Sequence, residues 1–139
     1  MASWNDVSRI ALALPDTSEE QQRGRARWMV RDKLFAWERP LRPSGLKALG
    51  DLAPKGAILA VRVEHLLAKE ARLAAQPDVC FTTPHFDGYP AVLLRLGRIG
   101  VHDLRDLIVE AWLARAPKSL ARKYQSAESP PKRTRRPNA

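Results

Sequence analysis

Between Arg23 and Trp37 the chain alternates with a period of two, and no other stretch constrains the fold as tightly. Ala26, Trp28 and Val30 point to one side, while Arg25, Arg27, Met29 and Arg31 point to the other. Arg31-Asp32-Lys33 breaks the alternation and Leu34-Phe35-Ala36-Trp37 resumes it, which predicts a β-hairpin with an arginine-bearing face. Asp is tolerated at a positive-φ turn position, though less readily than Gly.

Helical spacing brackets the hairpin. Ser3 is the expected N-cap of a first helix, with Asp6 complementing its dipole. Val7, Ile10, Ala11 and Leu14 form its apolar stripe, and Pro15 stops it. Asp16 to Gln22 is polar and reads as a connection. Residues 40–56 hold three prolines and three glycines and read as a long loop. Residues 57–63 form a third strand, followed by a helix over 64–75 with Leu66, Leu67, Ala71 and Ala74 as its inner stripe. Residues 79–82 and 91–96 are two further strands. A helix over 103–114 turns Leu104, Leu107, Ile108, Ala111 and Trp112 inward, and a short helix restarts at Pro117.

The order α-β3-α-β2-α predicts an α+β two-layer sandwich: an antiparallel sheet of about five strands with helices on one face. Trp28, Val30, Ile58, Val61, Phe81, Val92, Leu94, Leu107 and Trp112 are expected inside. One domain spans residues 1–125, and the Pro-, Ser- and Arg-containing residues 126–139 form a disordered basic tail.

Charge is unevenly spread. The chain of 139 residues carries +9; residues 23–47 hold +6 of it and residues 126–139 hold +3. A polyanionic partner suits that pattern. The hairpin supplies Arg23, Arg25 and Arg27 on one face, with Arg31 and Lys33 at its tip. The following loop supplies Arg42, Lys47 and Lys55. The last helix adds Lys118, Arg122 and Lys123, either as a phosphate site at the helix start or as a solvated face. In the tail, Lys132, Arg133, Arg135 and Arg136 would hold polyanions by counterion release, without sequence choice.

No apolar run approaches the ~20 residues of a membrane span. The first residues lack the basic-then-apolar pattern of a secretory signal. One cysteine, Cys80, excludes an internal disulfide and fits a reducing cytoplasm. It lies on a strand expected to be buried, where a thiol behaves as a small hydrophobe. No structural-zinc pattern is present, and no cofactor is expected. Trp28, Trp37 and Trp112 are expected as core anchors rather than base-stacking platforms.

The segment most concerned with chemistry is Pro84-His85-Phe86-Asp87-Gly88-Tyr89-Pro90. His85 and Asp87 have the residue types of an acid/base pair or of two metal ligands. No nucleophile motif or carboxylate cluster accompanies them, and Asp87-Gly88 reads more simply as a tight turn.

Several blocks together resemble the MmcQ/YjbR family: Ala11 to Pro15, Val30 to Ala36, Phe81 to Val92, and Glu110 to Lys118. The resemblance spans roughly residues 4–124. It implies a two-layer α/β fold similar in layout to type III secretion chaperones and frataxin-like domains. It also implies a bacterial cytoplasmic protein and, through the family's description as double-wing, DNA binding. The hairpin turn departs from the family, which commonly has Gly where this chain has Asp32.

The expected function is therefore non-enzymatic, sequence-independent DNA binding, with the hairpin as one wing and the loop bearing Arg42 and Lys47 as a second. The alternatives are a chaperone-like adaptor that binds a protein partner and, further off, a small-molecule or metal-binding domain at His85 and Asp87. The chain is expected as a monomer or homodimer.

Overall fold

The computed structural model describes residues 2–39 and 56–128, with the backbone alone at His85, Ala127 and Glu128. Arg42, Lys47, Lys55 and the four basic tail residues from Lys132 to Arg136 lie outside the described residues.

Ser3 caps α1 (Trp4–Leu12) through a reciprocal capping box with Asp6. The Asp6 carboxyl is held below its usual pKa by hydrogen bonds from Arg9 and from the Ser3 backbone. Four strands follow: β1 (Thr17–Gln22), β2 (Arg25–Val30), β3 (Lys33–Glu38) and β4 (Ile58–Arg62). Then come α2 (Leu66–Ala75), β5 (Cys80–Phe81), β6 (Ala91–Arg95), α3 (Val101–Arg115) and α4 (Lys118–Glu128). The six strands make one antiparallel sheet in the order β1-β2-β3-β4-β6-β5. The protein is thus an α+β sandwich.

All nine residues expected inside are buried, but they serve two cores. Trp28, Ala36, Val61 and Val92 stand across the inner sheet face, beneath α1, α3 and α4. Ile58 and Phe81 belong to a smaller cluster on the outer face, with Ala60, Phe86, Ala91 and Leu93. Trp112 is fully buried, and its indole N–H donates to the Pro15 carbonyl and the Thr17 hydroxyl, each at 3.1 Å.

The structure corrects four sequence expectations. First, residues 17–22 are a strand, not a connection. Five of the six are exposed at the sheet edge, so apolar alternation never develops. Arg23 (φ 55°) and Gly24 (φ 78°) make the tight turn that folds β1 onto β2. On the α1 side of the sheet exposed Glu19 accepts hydrogen bonds from Trp28 Nε1 (2.7 Å) and Ser8 Oγ (2.6 Å).

Second, α2 is rotated from its expected face. Leu66 and Ala71 are exposed and Leu67 is 73% exposed, whereas Ala68, Lys69, Arg72 and Leu73 turn inward. The long polar side chains find better partners inside. Arg72 donates to Glu110 at 2.6 Å, and Lys69 donates to the carbonyls of Phe86 and Tyr89 at 2.5 and 2.9 Å. His65, whose Nδ1 accepts from the Ala68 N–H, sets where the helix starts.

Third, Arg23 sits in the β1–β2 turn and does not share the strand face of Arg25 and Arg27. Fourth, the last helix is not short: it runs eleven residues and continues to Glu128, beyond the expected limit at 125.

Candidate nucleic-acid interface

The hairpin is no projecting ribbon. β1 pairs with β2 along its whole length and β4 pairs with β3, so both hairpin strands lie inside the sheet. Its turn uses Arg31 (φ 45°) and Asp32 (φ 72°), which places two non-glycine residues in the left-handed region. Arg31 is tied down: its backbone N–H donates to the Asp16 carbonyl at 3.1 Å and its Nε to the Asp16 carboxylate at 2.7 Å. Lys33 remains exposed beside the turn.

What the hairpin contributes is part of a broader surface, the outer face of the sheet. Strand pairing aligns Glu20, Arg27, Trp37, Ala60, Leu93 and Phe81 in one rung across all six strands. Two residues along each strand, the next rung holds Arg25 on β2, Ile58 on β4 and Arg95 on β6. Arg39 donates its backbone N–H to the Ile58 carbonyl, which brings it into that rung between Arg25 and Ile58. At the opposite end Arg62 pairs with Ala91. Five arginines therefore share this face, four of them on β2, β4 and β6 and Arg39 just past the end of β3.

Three of the five lie over aromatic rings. The Arg95 guanidinium carbon is 4.5 Å from the Phe81 centroid, that of Arg39 5.2 Å from Phe86, and that of Arg62 5.1 Å from Tyr89. Such pairs fix long side chains in place and cover the rings with charge. Phe86 also meets Trp37 at 6.4 Å and Tyr89 at 6.1 Å, so Arg39, Phe86, Tyr89 and Arg62 make a continuous strip. Burial, with Arg98 nearby, lowers the Arg95 pKa. On this face Arg27 forms an ion pair with Glu20 at 3.1 Å.

The motif segment builds the strip. Pro84 opens a single 3-10 turn through Phe86. Asp87 (φ −61°, ψ 133°) and Gly88 (φ 77°) are then the central residues of a type II turn closed by the Tyr89 N–H to the Phe86 carbonyl at 3.0 Å. Gly88 is needed there because the second central position of such a turn requires positive φ. The Pro90 carbonyl accepts from the Val63 N–H and from Arg62 Nε. Lys69, only 5% exposed, holds the turn from inside through its two carbonyl contacts. Burial lowers the Lys69 pKa, and nearby Asp87 opposes that shift.

Lys118 and Arg122 are exposed on α4, whose Leu120 packs in the core of the inner face. The fold does not bring them onto the arginine face. Cys80 is buried, and its thiol pKa is pushed up to about 11. We expect no labelling of Cys80 by a disulfide reagent at pH 8 in the folded protein, and one reactive thiol after denaturation. Labelling of the native protein at the denatured rate would show that the strand opens.

Sequence reasoning missed Arg39, Arg62 and Arg95. A signal was present: each follows, two residues on, an outward-facing Trp37, Ala60 or Leu93.

No family model matches the chain. Three mycobacterial relatives do: Uncharacterized protein Mb2600 of Mycobacterium bovis, and Uncharacterized proteins MT2646 and Rv2570 of Mycobacterium tuberculosis. Each is 52% identical over 127 residues, covering 89% of this chain and 96% of the relative. Among solved structures, Deinococcus radiodurans protein DR2400, a DUF419 domain, is similar with a TM-score of 0.58. That likeness covers 81% of this chain and 78% of the other at 18% identity, so it bears on fold alone. No helix among the described residues is long and apolar enough to cross a membrane. With half of its residues shared along nearly the full length of the mycobacterial proteins, the chain belongs to their family.

Proposed function

We propose that this protein is a non-enzymatic, sequence-independent DNA-binding protein of the MmcQ/YjbR type, acting in the cytoplasm. The observation that carries the reading is the outer sheet face, where Arg25, Arg27, Arg39, Arg62 and Arg95 stand together. Arginine suits phosphate because its planar fork donates several N–H groups at once. Contacts of this kind fix a protein on the backbone and read no bases. The basic tail adds charge of the same sign. The motif blocks and the fold shared with a DUF419 protein support the family assignment, and a single buried cysteine suits a reducing compartment.

One observation favours a second reading. The exposed Leu66, Leu67, Ala71 and Ala74 leave an apolar stripe on α2, which an adaptor would use to hold a protein partner.

A salt series separates the two. Full-length protein is titrated into labelled mixed-sequence duplex between about 50 and 200 mM salt. DNA binding predicts a steep, linear fall of log affinity with log salt. In the Arg25→Ala/Arg27→Ala protein the slope drops by between about one and two, since each lost phosphate contact removes ~0.9. Releasing Arg27 with Glu20→Gln works in the other direction and tightens binding. Absence of binding at the lowest salt would transfer the case to the adaptor.

A further inference from the structure

We infer that the groove between α3 and α4 is a docking site for this chain's own basic segment, residues 129–139. The groove lies on the helical side of the molecule, so the inference stands apart from the DNA-binding reading.

The groove encloses about 410 Å³. Val109 and Leu113 of α3 and Ala121 of α4 give it a half-buried apolar lining, and Glu64, Asp106 and Glu110 give it an acidic one. None of the described residues that line it is basic. The chain as a whole has 24 Lys and Arg against 15 acids, so the groove reverses the molecule's own bias and favours a cationic occupant. Glu110 gives its Oε1 to Arg72 at 2.6 and 2.9 Å, which leaves Oε2 to accept from another donor. Asp106, one helical turn earlier, forms no ion pair among the described residues.

Residues 129–139 supply the matching charge: Lys132, Arg133, Arg135 and Arg136, with no acid. They also leave from the right place. Gln125 of α4 lines the groove, and the helix ends shortly after it, at Glu128. Ser129-Pro130-Pro131 favours extended chain at ~3.1 Å per residue, so Lys132 can stand ~12 Å from Glu128. Packed helices lie ~8–10 Å apart, so that reach takes the chain across the groove to α3. Spacing fits as well. Asp106 and Glu110 are ~6 Å apart along the helix axis. Arg133 and Arg135, two residues apart in extended chain, leave the same side ~6–7 Å apart.

Exposed ion pairs are individually weak. The short tether changes the balance, because it holds the cations at the groove at an effective concentration of about 1 mM. An intrinsic affinity of only ~0.1 mM then keeps the groove about nine-tenths occupied. Docked, the segment withholds its cations from any polyanion, which must compete with the groove for them.

Limited trypsin digestion of the full-length protein tests this, with cuts after Lys132, Arg133 and Arg135 followed by mass spectrometry. At low salt those cuts should be roughly tenfold slower than in the Glu64→Gln/Asp106→Asn protein. At about 0.5 M salt the two should digest alike, because screening removes attraction between exposed charges. Glu110 is left in place, since it also holds Arg72. The Asp32→Asn/Asp78→Asn protein has the same change of charge at residues that do not line the groove, and it should keep the wild-type protection. A second variant alters only the docking segment and covers the case of a groove variant that folds poorly by circular dichroism. In Arg133→Gln/Arg135→Gln the cut after Lys132 should be fast at low salt. Equal digestion of the wild type and these variants at low salt overturns the inference. So does protection that rises with protein concentration, which assigns the groove to the same segment of a second copy.

Discussion

Trp112→Ala should cost about 3–5 kcal/mol of folding stability, the range for removing a large aromatic side chain from a packed core. Domains of this size are stable by about 5–15 kcal/mol, so the variant approaches the limit of folding at all. The position justifies the upper part of the range. Trp112 is fully buried at the junction of α1, β1, α3 and α4, with Tyr124 against its ring at 5.1 Å. Its N–H is also the donor for Pro15 and Thr17, at the corner where α1 turns into β1. Trp112→Phe separates the two contributions. It keeps most of the apolar volume but removes the indole donor from a corner where the Thr17 hydroxyl still donates to the Pro15 carbonyl, at a cost of about 1 kcal/mol. Urea unfolding followed by circular dichroism checks both values. Because Trp112 lies on the inner face, Trp112→Phe should bind DNA as the wild type does. A cost below about 1 kcal/mol for Trp112→Ala would mean that the corner is held by something else.

Much of this architecture was legible because its signals are local. Ser3 with Asp6, the helical stripe ending at Pro15, and the alternation through Trp28 and Val30 each depend on residues close in sequence. The inner core residues follow from the same periodicities. Legibility failed where the partner of a polar group came from elsewhere in the chain. Exposed Glu19 is held on the α1 side of the sheet because Trp28 and Ser8 donate to it, and nothing within β1 announces either donor. Lys69 and Arg72 displaced two leucines from the inner side of α2 because carbonyls 17 and 20 residues away, and a carboxylate 38 residues away, satisfy them.

The candidate site failed by the same rule, in the opposite sense. Arg25 and Arg27 were visible because they alternate along one strand. Arg62 and Arg95 stand one to a strand and Arg39 just past the end of β3, and only the sheet order gathers them. Glu20, which restrains Arg27, is likewise invisible until β1 is known to be a strand. The motif segment was read correctly as a turn. Its use in carrying Phe86 and Tyr89 onto the arginine face depends on packing that periodicity cannot report.

Lys69→Met should destabilise the protein by about 2–3 kcal/mol, a large effect for one surface-connected lysine. Two opposing quantities decide it. Removing the ammonium relieves a buried charge, and the lowered Lys69 pKa shows that burial disfavours that charge. It also strips the donor from the carbonyls of Phe86 and Tyr89, and hydrogen bonds from a charged group are the stronger kind. Methionine replaces the aliphatic stem at nearly equal volume, so little of the loss is packing. The second quantity wins because two acceptors lose one donor together. The pH dependence has a definite sign. With its folded pKa below the unfolded one, Lys69 leaves the unfolded chain binding more protons as the pH rises toward the usual lysine range. Stability from this group therefore increases with pH there, and the gap between wild type and Lys69→Met should widen. A Lys69→Met protein as stable as the wild type would show that the turn holds its rings without the lysine.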